Sequence, residues 1–148
     1  RTIVIPMRIA GSCHCGNIAY ELDWKPDPAG IPARACTCTF CTRHGGVWTS
    51  CPGGSLRIRV RDRALMSDYA FGTGTAAIHV CAACGVVPVV TSRVEGRLYA
   101  VVNANTFDGV DPALLRPMSA NLDGEAASER LARRARNWIA DVAFEDAD

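Results

Sequence analysis

The sequence contains no apolar stretch of the roughly 18 residues that a membrane-spanning helix needs. Near its beginning it has no charged segment followed by an apolar segment, so we predict no signal peptide. It also has no excess of charge of one sign, because 16 basic and 15 acidic residues leave a formal net charge of +1. Domains that bind nucleic acid usually carry a strong basic excess. These absences predict that the partners of the protein include neither a membrane nor a nucleic acid.

Internal repeats, low-complexity tracts and linker-like segments are also absent from the sequence. A length of 148 residues is typical of one domain, and an apolar share of 49% is enough to form a core. We therefore predict a single domain over residues 1–148.

Cysteine is the one residue type present in excess. Seven of the eight cysteines form three short clusters, C-H-C at 13–15, C-T-C-T-F-C at 36–41 and C-A-A-C at 81–84, and the eighth is Cys51. Disulfide frameworks usually spread their cysteines along the chain, whereas short spacings present two thiolates to one point, as a tetrahedral metal site requires. Metal binding therefore explains the clusters better than a secreted disulfide scaffold or a set of inert buried cysteines does. Thiols kept reduced as metal ligands favour a cytoplasmic protein.

The metal expected at these clusters is zinc. Thiolates are soft ligands, and an all-sulfur tetrahedral set selects Zn²⁺ or an iron–sulfur cluster. The ferredoxin spacing C-x₂-C-x₂-C is absent, which disfavours the iron–sulfur cluster. The first and third cysteine clusters together supply a complete set of four ligands, which are Cys13, Cys15, Cys81 and Cys84. Because this set joins the beginning of the chain to its middle, we predict a structural zinc site there.

The second cluster supplies three ligands and no evident fourth, and these are Cys36, Cys38 and Cys41. Three protein ligands with one open position are typical of a catalytic or ligand-accepting zinc. His44 and Cys51 are candidates for the fourth ligand, although a histidine in a loop is more often simply exposed and Cys51 stands in the turn-like S-C-P-G-G. His79 lies in an expected strand beside the third cluster, where it would orient a ligand rather than bind the metal.

Alternation of polar and apolar residues predicts about six or seven short β-strands. They fall at residues 2–9, 17–23, 55–61, 76–80, 86–91 and 97–103. Pro6 interrupts the first of them, which is typical of an edge strand. The sequence therefore predicts a mainly β fold.

Only one helix is predicted, over about residues 125–144. Apolar residues that include Leu131, Trp138 and Val142 recur at helical spacing on one face. The remaining surface carries arginines at positions 130, 133, 134 and 136. We interpret these arginines as the solvated face of a packing helix, with binding of a phosphate or an acidic partner as the alternative.

Three motifs resemble the glutathione-dependent formaldehyde-activating enzyme family. They are G-S-C-H-C-G-N-I-A-Y-E at 11–21, C-T-C-T-F-C-T-R-H-G-G at 36–46 and C-A-A-C-G at 81–85, and the later V-V-N-A-N-T-F at 101–107 is also similar. The resemblance covers about residues 8–110. It implies an Mss4-like fold of folded-over antiparallel sheets with zinc sites, to which the predicted C-terminal helix is added. Thr37 and Phe40 depart from the histidine and the small or polar residue that are frequent in the family at these positions.

The resemblance also implies two zinc ions with different roles. The first and third clusters would hold a structural zinc, and the second would hold a zinc at which the thiol of glutathione acts as co-substrate. The implied activity is that of a carbon–sulfur lyase of the S-(hydroxymethyl)glutathione synthase type, acting on the adduct of glutathione or another thiol with formaldehyde or a small aldehyde. Arg43 or a protonated His44 would stabilise the negative charge that a fourth thiolate adds.

Three other functions fit the same residues. In the first, the open zinc binds glutathione or another thiol without catalysis. In the second, both zinc ions are structural and the surface binds a protein partner. In the third, Cys81 and Cys84 carry out thiol–disulfide exchange, for which this pair would have to carry no metal.

Overall fold

The computed structural model describes residues 7–24, 30–122 and 124–145, which form mostly β-strands. In chain order the strands are β1 (Met7–Ser12), β2 (Ile18–Trp24), β3 (Ile31–Cys36), β4 (Trp48–Thr49), β5 (Ser55–Val60), β6 (Met66–Tyr69), β7 (Ala76–Cys81), β8 (Val89–Val94), β9 (Arg97–Asn103), β10 (Phe107–Asp108), β11 (Leu115–Ala120) and β12 (Asp141–Glu145). The α-helices in these ranges are α1 (Thr39–His44) and α2 (Ala127–Asn137). Neither helix combines the length and the apolar character needed to cross a membrane. The prediction of a mainly β protein is confirmed.

Strands β2 and β5 lie next to each other in a five-stranded sheet with the order β10-β1-β2-β5-β12. Both alternate as predicted, and their buried apolar side chains are Ile18, Tyr20, Leu22, Trp24, Leu56, Ile58 and Val60. On the other face of β5, Arg57 pairs with Asp141 of β12 at 3.0 Å and Arg59 pairs with Glu145 at 3.7 Å. One face of this sheet is therefore available to form a core, and the other carries ion pairs.

The second sheet has seven strands in the order β11-β3-β4-β9-β8-β7-β6. Val89 of β8 lies opposite Val102 of β9, and both join a core cluster with Leu22 of the first sheet. The next pair, Val90 and Val101, belongs to a second cluster. Because neighbouring residues of a strand point to opposite faces, the seven-stranded sheet is apolar on both faces.

Most neighbouring strands are antiparallel, as the Mss4-like architecture implies. Two pairs are parallel, namely β11 with β3 and β12 with β5. Both of these late strands lie at the edge of a sheet. The last part of the chain therefore extends each folded-over sheet by one strand.

The prediction of a helix over residues 125–144 is wrong in its last part. α2 ends at Asn137, and Trp138 is already extended, with φ −81° and ψ 161°. Ile139 then exchanges two backbone hydrogen bonds with Ala100, at 2.9 and 3.1 Å, and β12 runs beside β5. The spacing of the apolar residues in 138–142 fits a helix. The segment is extended instead because it forms backbone hydrogen bonds with β9 and β5.

The structure also contains strands that the sequence did not predict, namely β3, β4, β6, β10 and β11, and the limits of some predicted strands differ. Residues 2–6 of the first predicted strand lie outside the described residues. The described strand β1 pairs with β2 along its length, and β10 pairs with its other side only at Ala10 and Gly11. Ala10 and Gly11 lie beyond the predicted strand, so the edge position expected for residues 2–9 stays a prediction. The short α1 was not predicted, because six residues are too few to show a helical period.

Candidate metal centres and the adjoining cavity

The first and third cysteine clusters meet at the ends of two hairpins. Cys13 and Cys15 lie between β1 and β2, Cys81 ends β7, and Cys84 lies in the turn before β8. The four sulfur atoms lie within 4.8 Å of one another. The Sγ of Cys15 is 3.8 Å from that of Cys13 and 3.5 Å from that of Cys81. A tetrahedral zinc with bonds of about 2.3 Å would place its sulfur ligands about 3.8 Å apart, so these positions fit a four-coordinate zinc.

This set, which we call the four-cysteine group, joins the two sheets. β1 and β2 belong to the five-stranded sheet, whereas β7 and β8 belong to the seven-stranded sheet. Cys13 and Cys81 are buried in the core cluster to which both sheets contribute. Because Cys81 and Cys84 share their position with two further sulfur atoms, they do not form the isolated pair that thiol–disulfide exchange requires.

Backbone N–H groups in both turns point at sulfur atoms. The N–H of Ile18 donates to Sγ of Cys13 at 3.3 Å, and that of Cys84 donates to Sγ of Cys81 at 3.5 Å. Gly85, with φ +83°, closes the second turn by donating to the carbonyl of Cys81 at 2.8 Å, in a left-handed conformation that glycine adopts readily. N–H groups that donate to a thiolate stabilise it, and the thiolate is the form that binds a metal.

The thiols of the four-cysteine group differ in acidity. Burial raises the pKa of Cys13 to about 11. At Cys84 burial also acts upward, but hydrogen bonds from the backbone of Val86 and Cys15 outweigh it, and the pKa falls to about 6. A bound divalent cation would stabilise the thiolate form of all four side chains.

The second cluster forms a three-sulfur group, the cysteine triplet, at the start of α1. Cys36 ends β3, Cys38 caps the N-terminus of α1, and Cys41 lies in the first turn. Their sulfur atoms lie within 4.8 Å of one another, and no other Cys, His, Asp or Glu of the described residues joins them. The N–H of Cys41 donates to Sγ of Cys38 at 3.3 Å, and Nε1 of Trp48 donates to Sγ of Cys41 at 3.4 Å. Three sulfur atoms with N–H donors around them fit a zinc that keeps one position open.

Cys41 of the triplet holds its proton strongly. Its hydrogen bond with Cys36, and then burial, raise the pKa of Cys41 well above its usual range, although the hydrogen bond from Trp48 acts in the opposite direction. Binding of a metal ion at the triplet would therefore displace a proton from this thiol.

The residues predicted to assist the triplet lie beside it on α1. Arg43 is exposed, and its Nη1 donates to the carbonyl of Thr39 at 3.2 Å. His44 stacks on Phe40 with ring centroids 5.4 Å apart. Neither Arg43 nor His44 lines the cavity that adjoins the triplet, and their contact with a thiol stays a prediction.

Cys51 and His79 belong to neither cysteine group. Cys51 is buried and packs in the core cluster to which both sheets contribute. The two ring nitrogens of His79 are engaged elsewhere, since Nδ1 is 2.7 Å from Oδ1 of Asp68 and Nε2 is 2.7 Å from Oγ1 of Thr91. The expectation that His79 orients a metal ligand is therefore wrong.

A cavity of 560 Å³ adjoins the triplet, and all three of its cysteines line it. Aliphatic side chains of the seven-stranded sheet, including Ile78, Val90 and Val101, also line it, together with Trp48 and Trp138. The four-cysteine group, all of whose members are described, does not line this cavity. The triplet is therefore the sulfur group beside which a small molecule has room to bind.

Several arginines line the same cavity and correct the interpretation of α2. They are Arg34 of β3 and Arg130, Arg133 and Arg134 of α2. The predicted solvated face is wrong for the three on α2, because Arg134 is only 5% exposed and the other two are half-buried, whereas Arg136 is exposed. The spacing i, i+3, i+4 of positions 130, 133 and 134 was the signal for a shared face. Arg34 and Trp48 carry no comparable signal in the sequence.

Most of the chain matches the model of one known protein family. The model of the family described as glutathione-dependent formaldehyde-activating enzyme matches residues 8–121, a segment that contains both cysteine groups. The chain belongs to this family. The resemblance drawn from the cysteine motifs is thereby confirmed.

A crystal structure of a Rhodobacter sphaeroides protein is similar to this family member. The TM-score is 0.55 and the sequence identity is 30%, over 70% of this chain and 92% of the other. No curated protein matches the sequence. The structural likeness agrees with the Mss4-like arrangement of two sheets.

The match to the formaldehyde-activating family ends at residue 121, before α2 begins at Ala127. The cysteine triplet and Arg34 lie inside the matched segment, whereas the three cavity arginines of α2 lie beyond it. In this family member the C-terminal helix therefore completes a cavity that the family segment begins.

Proposed function

We propose that this family member is a zinc-dependent carbon–sulfur lyase of the S-(hydroxymethyl)glutathione synthase type. It would join the thiol of glutathione, or of a similar thiol, to formaldehyde or another small aldehyde, and it would also catalyse the reverse reaction. The observation that carries this proposal is the position of the triplet, whose three sulfur atoms converge in the wall of a 560 Å³ cavity.

The reaction adds the S–H bond of the thiol across the carbonyl bond of the aldehyde. A carbon–sulfur bond forms, the carbonyl π bond breaks, and the oxygen gains a proton in place of the one the thiol loses, so nothing is oxidised or reduced. A zinc ion held by Cys36, Cys38 and Cys41 would supply the positive charge that lowers the pKa of the thiol. The N–H of Trp48, which donates to Sγ of Cys41, withdraws negative charge from one of the three sulfur ligands and so preserves part of that effect.

The cavity walls would hold the two reactants together. Trp48, Phe71 and Trp138 contribute aromatic surface to the walls of the space beside the triplet. Holding a thiol and an aldehyde in contact converts a bimolecular reaction into an effectively unimolecular one. The entropy lost in bringing the two reactants together is a large part of the barrier for such an addition, and binding removes it from the chemical step. The described lining residues include no His, Asp or Glu, so the proton would move through solvent water rather than through a carboxylate or an imidazole.

The test is the rate at which glutathione and ¹³C-labelled formaldehyde exchange with their adduct, measured by NMR exchange spectroscopy. We expect the protein with two zinc ions per chain to exceed the spontaneous rate. Cys38→Ser, which removes a ligand of the triplet, should return the rate to the spontaneous value, whereas Cys51→Ala, outside both sulfur groups, should not. A spontaneous rate for the fully metallated wild-type protein would rule out the enzyme.

The lack of an acid–base side chain in the described lining favours a second candidate, a zinc protein that binds thiols without catalysis. Titration calorimetry with glutathione distinguishes the two candidates when it is combined with the rate measurement. Tight binding together with a spontaneous exchange rate would favour the binding protein.

We also propose that both sulfur groups hold zinc and that the protein works in the cytoplasm. None of the eight cysteines, all of which are described, forms a disulfide, and a reducing compartment maintains that state. Elemental analysis of the purified protein should find two zinc ions per chain, and iron in place of zinc would contradict the assignment.

A further inference from the structure

The arginines of the cavity form one group, which we call the arginine wall. Its members are Arg34, Arg130, Arg133 and Arg134. Arg34 lies on the strand that ends at Cys36 of the triplet, and the other three follow one another on α2. The wall and the triplet line the same cavity, so one small molecule there can contact both.

The arginine wall carries more positive charge than its neighbours neutralise. Among the described residues, Glu125 is the carboxylate that pairs with it, at 3.0 Å from Nε of Arg133 and 3.4 Å from Nε of Arg130. Arg34 and Arg134 make no ion pair with a described carboxylate, and Arg34 donates to a serine hydroxyl at 3.4 Å. Four positive charges against one negative charge leave a formal excess of three.

Arg134 is the most buried member of the wall, with 5% of its surface exposed. Its Nη1 donates to Oγ1 of Thr75 at 2.7 Å and to Oγ of Ser92 at 3.0 Å, and its guanidinium lies 5.0 Å from the centre of the Trp138 ring. Its Nε is buried and has no hydrogen-bond partner among the described residues. Burial, and then the charges of Arg133 and Arg130, lower the pKa of Arg134 to about 10. A buried guanidinium with an unused donor beside two like charges is unfavourable until an anion joins it.

We propose that the arginine wall binds the carboxylate groups of the thiol substrate while the sulfur of that substrate reaches the cysteine triplet. Guanidinium groups bind carboxylates through paired, charge-assisted hydrogen bonds. The protein therefore selects thiols that carry one or more carboxylates at a distance from the sulfur, as glutathione does, over neutral or cationic thiols. The inference rests on the proposed function, because it takes the thiol to occupy this cavity. The selection comes mainly from α2, which lies beyond the residues that the family model matches.

Titration calorimetry with S-methylglutathione tests the wall apart from catalysis, because this ligand keeps both carboxylates of glutathione and has no free thiol. Arg130→Gln and Arg133→Gln remove charge from the wall, and Arg136→Gln removes an exposed charge of the same helix outside the cavity. Loss of one charge-assisted pair should raise the Kd about tenfold in each wall variant, and Arg136→Gln should leave it unchanged. The dimethyl ester of the ligand should bind the wild-type protein at least about tenfold more weakly.

Weaker binding in the two α2 variants could also result from weaker packing of α2, so a variant on a different element is needed. Arg34→Gln changes β3 rather than α2, and its Kd should also rise. Thermal unfolding followed by circular dichroism identifies any variant that has lost structure. Absence of binding to the wild-type protein, or an unchanged Kd in Arg34→Gln together with both α2 variants, would overturn the proposal. The same is true if Arg136→Gln weakens binding as much as the wall variants do.

Kinetic measurements separate this inference from the proposed function. With glutathione and formaldehyde, Arg133→Gln should raise KM and leave kcat nearly unchanged, because the wall contacts parts of the substrate that do not react. The loss of kcat/KM should be several-fold larger with glutathione than with the neutral thiol 2-mercaptoethanol, which has no carboxylate for the wall to bind. Arginine-dependent binding without catalysis would support the wall and reject the enzyme, and catalysis with an unaltered KM would do the reverse.

Discussion

Trp48 is the residue that connects the cysteine triplet to the walls of the cavity. Its Nε1 donates to Sγ of Cys41 at 3.4 Å, and its ring packs in the core cluster that contains Val90 and Val101. A donor of this kind fixes the orientation of a metal ligand and reduces the charge on it. Packing of the indole in the second core cluster therefore controls the position of a sulfur atom in the triplet.

Replacing Trp48 with Phe keeps an aromatic ring and removes the N–H group. We expect the affinity for one of two zinc ions to fall about tenfold, since loss of a hydrogen-bond partner of a metal ligand typically has an effect of that size. Stepwise zinc removal by a competing chelator measures both affinities. Trp24→Phe, in the core cluster shared by the two sheets, is the matched control and should change neither affinity. Equal weakening of both sites in Trp48→Phe would contradict the expectation.

At the scale of single residues, the sequence predicts the sulfur groups well and the arginine wall badly. In spacings such as C-x-C and C-x₂-C, a single backbone turn brings the two cysteine side chains together, and the sulfur atoms of these pairs do converge in the structure. The burial of Arg134 depends instead on hydroxyl groups that lie 42 and 59 residues away in the sequence. No local pattern contains those contacts, so the arginines were expected to be solvated.

At the scale of elements, α2 is held by a carboxylate that precedes its first turn. The side chain of Glu125 is 16% exposed and pairs with Arg133 and Arg130. The hydrogen bond from Arg133, against the opposing effect of burial, lowers the pKa of Glu125 below its ordinary value. Glu125 thus neutralises part of the charge that the arginine wall concentrates on this helix.

Glu125→Gln should lower the free energy of unfolding by about 1–2 kcal/mol at neutral pH, because two arginines lose their carboxylate partner. The pKa of Glu125 is depressed in the folded state, so its contribution is present above the pKa of the unfolded chain and is lost as the pH falls through the folded value. The difference between the variant and the wild type should therefore shrink below about pH 4. Urea denaturation of the variant and the wild type over this pH range measures the difference.

The same Glu125→Gln variant should bind S-methylglutathione more tightly than the wild type does. Glu125 occupies donors of Arg133 that a ligand carboxylate would otherwise use, at 3.0 Å from Nε and 3.2 Å from Nη2. Removing this competitor should lower the Kd several-fold. The gain in binding free energy is roughly that of one charge-assisted hydrogen bond, reduced by the free energy lost when α2 is held less firmly. Titration calorimetry is the measurement, and weaker binding would show that Glu125 orients the arginines rather than competing with the ligand.

Elements differ in how well the sequence predicts them, and the last part of the chain shows the reason. β2 and β5 each bury one face, so their alternation is visible in the sequence and confirmed in the structure. Residues 138–142 fit both a helical and an extended pattern, and backbone hydrogen bonds with Ala100 and β5 decide between them. Such a choice depends on partners that are distant in the sequence.

At the scale of the whole molecule, the two sulfur groups constrain the chain to very different extents. Cys15 and Cys81 are 66 residues apart, and Cys15 lies between two strands of the five-stranded sheet whereas Cys81 ends a strand of the seven-stranded sheet. The triplet instead joins residues 36–41 within a single turn. A cross-link that closes a long loop removes more conformational freedom from the unfolded chain than one that closes a short loop. A metal in the four-cysteine group should therefore stabilise the fold as a whole, and one in the triplet should stabilise mainly α1.

Cys15→Ser and Cys38→Ser compare these two effects, since each removes one ligand that is not fully buried. We expect Cys15→Ser to lower the free energy of unfolding by several kcal/mol, on the order of a structural metal site, and Cys38→Ser to lower it by roughly 1 kcal/mol or less. If the chain is the single domain that its length predicts, circular dichroism and tryptophan fluorescence should report one shared transition in every variant. A chelator should lower the free energy of unfolding of the wild type to about that of Cys15→Ser, and it should hardly change the free energy of unfolding of Cys15→Ser itself. Equal losses in the two variants would mean that the four-cysteine group does not fasten the sheets, and separate transitions would mean that each sheet folds alone.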